Sequence, residues 1–339
     1  MSVAVLPVLR RHRTPVLLAL VLLAALAALA SVVVGAKQVP VTDVWGALFH
    51  PSGSEEDIVV RSLRLPRTGF GLLAGVALGV AGALAQGHTR NPLADPGLLG
   101  VTQGAAFAMV LGIFTLGVTG LNTYIWFGFA GALLASLLVF ALGGAGRGGA
   151  TPLTLALAGA AVTALLHGLI SGLVLIDQQA MDTYRFWQAG ALAGRDAGLL
   201  PQLLPFVLAG LVLAMVNAPG LNALALGEDV ARSLGHRIRL TRAIGITAIT
   251  LLTGAAVAAC GALAFLGLIV PHLARALSGP DHRWLLPFAG LLGAALLLAA
   301  DVVGRIVARP GELEVGIMLA LIGGPFFVAL VRRRKVVRL

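Results

Sequence analysis

Residues 64–105 read RLPRTGFGLLAGVALGVAGALAQGHTRNPLADPGLLGVTQGA, and this stretch decides the fold. Two arginines, Arg64 and Arg67, stand just before an apolar run of 19 residues. A polar Arg90-Asn91-Pro92 turn follows the run, and the chain then becomes apolar again. A helix needs about 20 apolar residues to cross a bilayer. The stretch therefore predicts two membrane crossings, with charges at one mouth and a rigid turn at the other.

The composition of the whole chain is that of a membrane protein. Hydrophobic residues make up 58% of the 339 residues and charged residues only 11%, against roughly 25% charged in soluble domains. The 44 glycines predict helices that approach closely, because lipid supplies no hydrophobic drive between helices. The single cysteine, Cys260, excludes a disulfide framework and a cysteine metal site. We predict one all-α polytopic membrane domain over residues 1–339.

Ten apolar runs predict about ten transmembrane helices. The first run follows a basic segment, but it is too long for a signal peptide and shows no clear cleavage site, so we expect it to be the first helix. The seventh and eighth runs touch, which predicts a tight turn at 259–261. The runs cover residues 16–34, 69–87, 98–116, 124–142, 152–176, 199–216, 243–260, 261–273, 285–303 and 315–331.

The positive charges predict the orientation of these helices. An even number of crossings puts both termini on one side of the membrane. If that side is the cytoplasm, 16 of the 24 Lys and Arg residues lie inside and 8 outside, as the positive-inside rule requires. The net charge of +10 then lies mostly beside anionic lipid headgroups. Nucleic-acid binding is disfavoured, because the charges are spread over loops and do not form one basic face.

The predicted spans contain almost no ionisable side chains, although a carrier driven by an ion gradient usually has them. His167 stands alone in mid-span, where we expect a hydrogen bond to a neighbouring helix. Asp301 and Arg305 share a helix face and are expected to pair. The chain has no phosphate-binding loop of the G-x-x-x-x-G-K-[ST] type, no metal-ligand spacing and no paired nucleophile and base. We therefore predict no catalytic site, no cofactor and no metal, and expect the energy for transport to come from another chain.

The longest predicted cytoplasmic loop covers residues 217–242. Within it, residues 228–235 predict a short helix, with acids at the start, Arg232 in the last turn and Gly235 as a left-handed cap. Two helical turns are not stable alone in water. This helix must dock either on the chain's own surface or on a cytoplasmic partner.

Six motifs, in order along about 260 residues, resemble those of the FecCD-type permeases of ABC importers, which move ferric siderophores, haem and vitamin B12. One departure is Glu314, where the family usually has proline. The motifs are RLPR at 64–67, RNPLADPGLLGVTQGA at 90–105, LGEDVARSLG at 226–235, GALAFLGLIVPHLAR at 261–275 with GPDHRWLLP at 279–287, the Asp301 and Arg305 pair, and GELEVG with GGPFF at 311–327.

The resemblance implies a ten-helix subunit of the cell membrane that is not itself an enzyme. It works with a second permease subunit, identical or paralogous, above a cytoplasmic ATPase dimer. An extracytoplasmic binding protein delivers the ligand, for which a ferric siderophore is the first expectation and haem or vitamin B12 the alternative. The competing classes are an ion-coupled secondary transporter, an intramembrane enzyme and a membrane protein without transport activity.

Three sets of functional residues follow from the topology and the resemblance. The docking set consists of arginines that should receive acidic residues of the binding protein; the alternative is that these arginines extend to lipid headgroups. The coupling set should dock on the ATPase, with residues 230, 234 and 238 as an apolar seat. The path set supplies polar groups to a translocation path that binds its ligand weakly, although an interhelical hydrogen bond is the alternative for each member. The docking set is Arg64, Arg67 and Arg305; the coupling set is Glu228, Val230, Arg232, Leu234, Gly235, Arg237, Ile238 and Arg239; the path set is Gln86, Thr102, Gln103, Thr163, His167 and Ser171.

Overall fold

The computed structural model describes residues 13–117, 120–145 and 151–332, and this part of the chain folds into thirteen helices. Helix α3 contains a π-helical segment, Val59–Arg64, and a 3-10 turn, Pro96–Leu99, precedes α4. The helices are α1 Arg13–Val33, α2 Val41–Phe49, α3 Glu55–Thr89, α4 Val101–Leu116, α5 Leu121–Gly144, α6 Pro152–Ile176, α7 Gln178–Ala189, α8 Leu199–Ala225, α9 Glu228–Ser233, α10 Ile238–Cys260, α11 Leu266–Ser278, α12 His282–Val307 and α13 Val315–Arg332.

The predicted all-α membrane fold is confirmed by the described residues, whereas the cytoplasmic placement of both termini stays a prediction. Eight helices of this part of the chain are long and apolar enough to cross a membrane, namely α1, α3, α5, α6, α8, α10, α12 and α13. The apolar helices α4 and α11 are shorter and match the remaining two predicted runs. Helices α2 and α7 were not predicted; they lie between the spans and contain 9 and 12 residues.

The bundle has two ends. The Arg67 end holds the start of α3 and the end of α12, which the Arg67–Asp301 pair joins. The Glu228 end holds the end of α8, helix α9 and the start of α12, since Asn222 of α8 donates to Asp281. Nη1 of Arg13, at the start of α1, lies 3.8 Å from Oδ2 of Asp281, the residue before α12. Helix α12 ends at the Arg67 end, and α13 runs back from there, with Phe326 packed against His272 of α11. The first and last described residues therefore lie at the Glu228 end.

The backbone of helix α3 lies in direct contact with the backbones of two neighbouring helices. A Cβ atom added at Gly79 would lie 2.2 Å from the carbonyl oxygen of Ala289 in α12. One added at Gly82 would lie 2.1 Å from the carbonyl oxygen of Gly267 in α11. Small residues give this closeness in a membrane bundle, where dispersion contacts drive helix association. The prediction from the glycine content is confirmed at these crossings.

The predicted turn between the seventh and eighth runs is a longer break inside the bundle. Helix α10 ends at Cys260, and α11 begins only at Leu266, so that the helix matching the eighth predicted run covers 266–278 and not 261–273. Gly261 and Phe265 adopt positive φ angles of 79° and 65°. Non-helical backbone at membrane depth must find partners within the protein, and here the N–H of Ala262 donates to the carbonyl oxygen of Trp187 at 3.2 Å.

Helix α8 continues beyond the predicted end of its span. It runs through Asn217 and Pro219 to Ala225, so the segment between α8 and α10 begins at residue 226 and not at 217. The polar side chains in this stretch, which led us to predict the end of the span, form hydrogen bonds with residues outside α8. Asn217 Nδ2 lies 2.7 Å from His88 Nε2, and Asn222 donates to Asp281 Oδ1 at 2.7 Å.

The contact between α3 and α11 gives a test of the packing. We expect Gly82→Ala to lower the free energy of unfolding by about 1–3 kcal/mol, the usual cost of overpacking a close contact. Gly46→Ala on α2 is the matched control, since a Cβ there meets nothing within 4 Å. Thermal denaturation in detergent measures both variants. Equal midpoints for the two variants would contradict the described contact.

Candidate functional site

The start of α3 brings Arg64 and Arg67 into the protein. Ser54 caps the helix, and its side chain accepts the N–H of Asp57 in a capping box. The π-helical segment that follows ends at Arg64, and π segments occur often at functional sites. Arg64 and Arg67 are buried, whereas Arg61 in the same segment is exposed.

Arg64 caps the end of α1. Its Nη1 donates to the carbonyl oxygens of Val32 and Val33 at 2.9 and 2.7 Å, and its Nη2 to that of Lys37 at 2.7 Å. The last carbonyl groups of a helix lack intrahelical donors and carry partial negative charge, so a guanidinium group is favoured there. Gly35 leaves room for it, since a Cβ would lie 2.5 Å from Arg64 Nη2.

The carboxylate of Asp301 joins α3 to α12 and is fully buried. Arg67 donates to it from Nε and from Nη2, the latter at 2.7 Å. Arg305 Nη2 lies 2.8 Å from its other oxygen, which confirms the predicted pair within α12. Arg305 also donates to the carbonyl oxygens of Ser31 and Val34 at 2.9 and 2.7 Å, and so caps α1 beside Arg64.

The three arginines of the predicted docking set line one cavity of about 310 Å³. Lys37 and Glu312 line it as well. A second cavity of about 460 Å³ is also lined by Arg67, together with Arg195. The arginines are thus brought together, but their guanidinium groups are held by the protein and do not extend towards headgroups. We name this cluster, Arg64, Arg67 and Arg305 with Asp301 and Glu312, the arginine pocket.

Glu312 is the most exposed member of the arginine pocket. Its Oε2 lies 2.5 Å from Nη1 of Arg67, and its side chain is 36% exposed. Glu314, the departure from the family pattern, lies half-buried at the start of α13, where its carbonyl oxygen accepts the N–H of Ile317 at 3.0 Å. Burial raises the pKa of Glu314, and Arg67 and Arg195 oppose that shift.

The predicted short helix at the Glu228 end is confirmed as α9, Glu228–Ser233. Gly227 and Gly235 border it with positive φ angles of 111° and 83°. The N–H of His236 donates to the carbonyl oxygen of Ala231 at 3.0 Å, which closes the C-terminus as a left-handed cap does.

Two arginines fix the carboxylate of Glu228. Arg232 lies at 3.1 Å within α9, and Arg242 reaches it from α10. Arg232 also pairs with Asp229 at 2.8 Å. The role of Arg242 was not predicted, because 14 residues separate it from Glu228 and no local pattern links them. The pair ties α9 to the start of α10.

The coupling set is only partly on the surface. Val230 and Leu234 are 45% and 60% exposed, whereas Ile238 is 7% exposed and packs in the core. The predicted apolar seat is therefore wrong in including Ile238. The chain turns at Gly235, so α9 does not continue to residue 238 and Ile238 does not share a face with Val230 and Leu234. Leu226 and Leu240, which were not in the set, are exposed. Three further members of the set, Gly235, Arg237 and Arg239, are also exposed.

The path set divides among three helices. Gln86 on α3 is fully buried; its side chain donates to the carbonyl oxygen of Leu268 and accepts from the buried Arg275 at 3.2 Å. Thr102 and Gln103 on α4 are partly buried. On α6, Thr163 and Ser171 are partly buried and His167 is exposed. A shared path for this set stays a prediction, and Gln86 fits the interhelical alternative.

Comparisons with known proteins agree with this geometry. The model of the FecCD transport family matches residues 21–333. The chain is 48% identical over 316 residues to the ferric enterobactin transport system permease protein FepD of Escherichia coli (strain K12), covering 93% of this chain and 94% of that protein. It is 42% identical over 323 residues to the iron(3+)-hydroxamate import system permease protein FhuB of Bacillus subtilis (strain 168), covering 94% and 83%.

A solved structure shares the fold. It is described as an inward-facing conformation of a metal-chelate type ABC transporter, with a TM-score of 0.82 and 30% sequence identity, and the match covers 94% of this chain and 99% of that chain. The chain therefore belongs to the FecCD transport family and is a multi-pass, non-catalytic permease subunit of an ABC transporter in the cytoplasmic membrane.

Proposed function

We propose that this chain is the permease of a binding-protein-dependent importer for an iron chelate, with a ferric siderophore as its cargo. The proposal rests on one observation: the chain is 48% identical to a permease named for ferric enterobactin transport, and the match covers 94% of that permease. The FhuB relative is named for another ferric chelate. The scarcity of ionisable groups in the spans supports a permease driven by a separate ATPase.

Helix α6 is the proposed contact with the second permease subunit and with the path. Only 22% of the residues in its most apolar stretch are buried against the rest of the chain. Gly168 and Gly172 face open space, since an added Cβ would meet nothing within 4 Å. Thr163, His167 and Ser171 recur every fourth residue and share a face of the helix. A partner subunit on this face would leave mildly polar groups at the axis of the pair.

The assembled permease and ATPase should take up a ferric siderophore but bind it weakly. In liposomes with ATP inside and the binding protein outside, we expect uptake of radiolabelled ferric enterobactin, and excess haem or cobalamin should not inhibit this uptake. Without the binding protein, calorimetric titration of the complex should show weak ligand binding, because the path offers few polar side chains. Tight stoichiometric binding to the complex alone would contradict this account.

The Arg67 end is the proposed docking site for the extracytoplasmic binding protein. The arginine pocket opens there with several guanidinium groups beside a single partly exposed carboxylate. A guanidinium group pairs with a carboxylate through two parallel hydrogen bonds, so acidic side chains on the binding protein would fit. Charge reversal at Arg67 is a poor test, because a third carboxylate beside Asp301 would disturb the fold.

Arg67→Lys is the sharper variant. Lysine keeps the charge beside Asp301 but lacks the planar fork that reaches both Asp301 and an outside carboxylate. We expect docking of the binding protein to weaken at least tenfold, about 1.4 kcal/mol, with a parallel loss of stimulated ATPase activity. Arg185→Lys, the same exchange at an exposed arginine of α7, is the control. Wild-type affinity in a folded Arg67→Lys permease would refute docking at this pocket.

The Glu228 end is the proposed cytoplasmic side, where α9 would transmit ATPase movement to the spans. Leu226, Val230, Leu234 and Leu240 are apolar and exposed there, and the basic Arg237 and Arg239 are exposed as well. Exposed apolar side chains grouped in one segment are typical of a surface that binds a partner. The Glu228–Arg242 pair would carry force from α9 into α10, and the excess of basic residues at this end suits the cytoplasmic face.

Leu234→Asp tests both the docking surface and the orientation. A charge in the apolar contact should separate ATP hydrolysis from uptake, so that uptake falls at least tenfold while the permease still inserts and remains folded. Thr42→Asp places the same charge at the opposite end and should leave coupling unchanged. Normal uptake by Leu234→Asp would show that α9 is not the transmission element.

A further inference from the structure

The guanidinium group of Arg67 has an inner and an outer partner. Nε and Nη2 donate to Asp301, which is fully buried. Nη1 points the other way and donates to Glu312. The inner contact fixes the position of the guanidinium group, and the outer contact occupies the donor that faces the cavity.

Glu312 is the carboxylate of the arginine pocket that solvent reaches most easily. Asp301 is enclosed and bridges two arginines, and the carbonyl oxygens that hold Arg64 belong to the end of α1. The Glu312 side chain is 36% exposed and lies in the chain segment between α12 and α13. Its release costs one charge-assisted hydrogen bond near the surface, whereas release of Asp301 would leave a carboxylate buried without a partner.

We propose that Glu312 is a resident carboxylate, which holds Nη1 of Arg67 while the permease is unoccupied and gives way to a carboxylate of the binding protein on docking. The inference rests on the proposed docking at the arginine pocket. It adds a residue of the permease itself that competes with the partner for the same donor.

The exchange keeps the guanidinium group of Arg67 paired in both states. An unpaired buried donor costs its desolvation free energy, and Arg67 never loses its outer acceptor if one carboxylate replaces another. The competition lowers docking affinity, since part of the interaction with the partner is offset by the lost Glu312 contact. Docking then stays reversible, which suits a binding protein that must leave the permease after each delivery.

The test compares Glu312→Gln with Glu314→Gln in the permease–ATPase complex. Glu314 lies two residues away, so its variant makes the same change in net charge without removing a hydrogen bond to Arg67. The probe is the ligand-loaded binding protein of the same transport system, and the readout is its dissociation constant at several salt concentrations. We expect Glu312→Gln to tighten docking about tenfold and Glu314→Gln to change it far less. Glu312→Ala, which has no acceptor, should tighten docking at least as much.

The outcomes separate this inference from the proposed function. Weaker docking in Glu312→Gln, or an effect equal to that of Glu314→Gln, overturns the exchange and makes Glu312 a structural member of the pocket or a distant charge. If Arg67→Lys still weakens docking, the proposed docking site stands without the exchange. If Arg67→Lys docks like the wild type, the docking site itself fails. Thermal denaturation of each variant confirms that the compared proteins are folded.

Discussion

The carboxylate of Asp301 is the interaction on which the Arg67 end of this permease depends. It is fully buried, accepts hydrogen bonds from Arg67 of α3 and forms an ion pair with Arg305 of α12. Removal of one member of such a buried group typically costs about 3–5 kcal/mol, because the remaining charges lose their partner. The glycine contacts of α3 bring α12 close enough for one carboxylate to serve both arginines.

Helix α12 connects the two ends of the molecule. At its start, Asp281 and His282 accept and donate hydrogen bonds with Asn222 at the end of α8. At its other end, Asp301 and Arg305 hold α3 and α1. This helix of 26 residues therefore contacts residues beside both proposed partner surfaces, while the sequence contains no nucleotide-binding loop. This arrangement suits a subunit that receives ligand at one end and force at the other.

The sequence predicted the spans because apolar length and glycine content are properties of each segment alone. It could not predict that α8 continues through Asn217, since that depends on His88 of another helix, 129 residues away. Ile238 was misplaced for the same reason, because a turn at Gly235 changes which face later residues present. The arginines were found as a group, but their burial was missed, since their acceptors are carbonyl groups at the end of α1 and a carboxylate 234 residues distant.

The central claim is that Asp301 holds Arg67 so that its outer donor can meet a partner's carboxylate. A cryo-electron microscopy structure of the permease and ATPase complex with the binding protein docked tests it most directly, through the acceptor found at Nη1 of Arg67. The account predicts a binding-protein carboxylate within hydrogen-bond distance, with Asp301 unchanged and Glu312 turned away. An Arg67 still paired with Glu312, with the binding protein seated elsewhere on the Arg67 end, would contradict it.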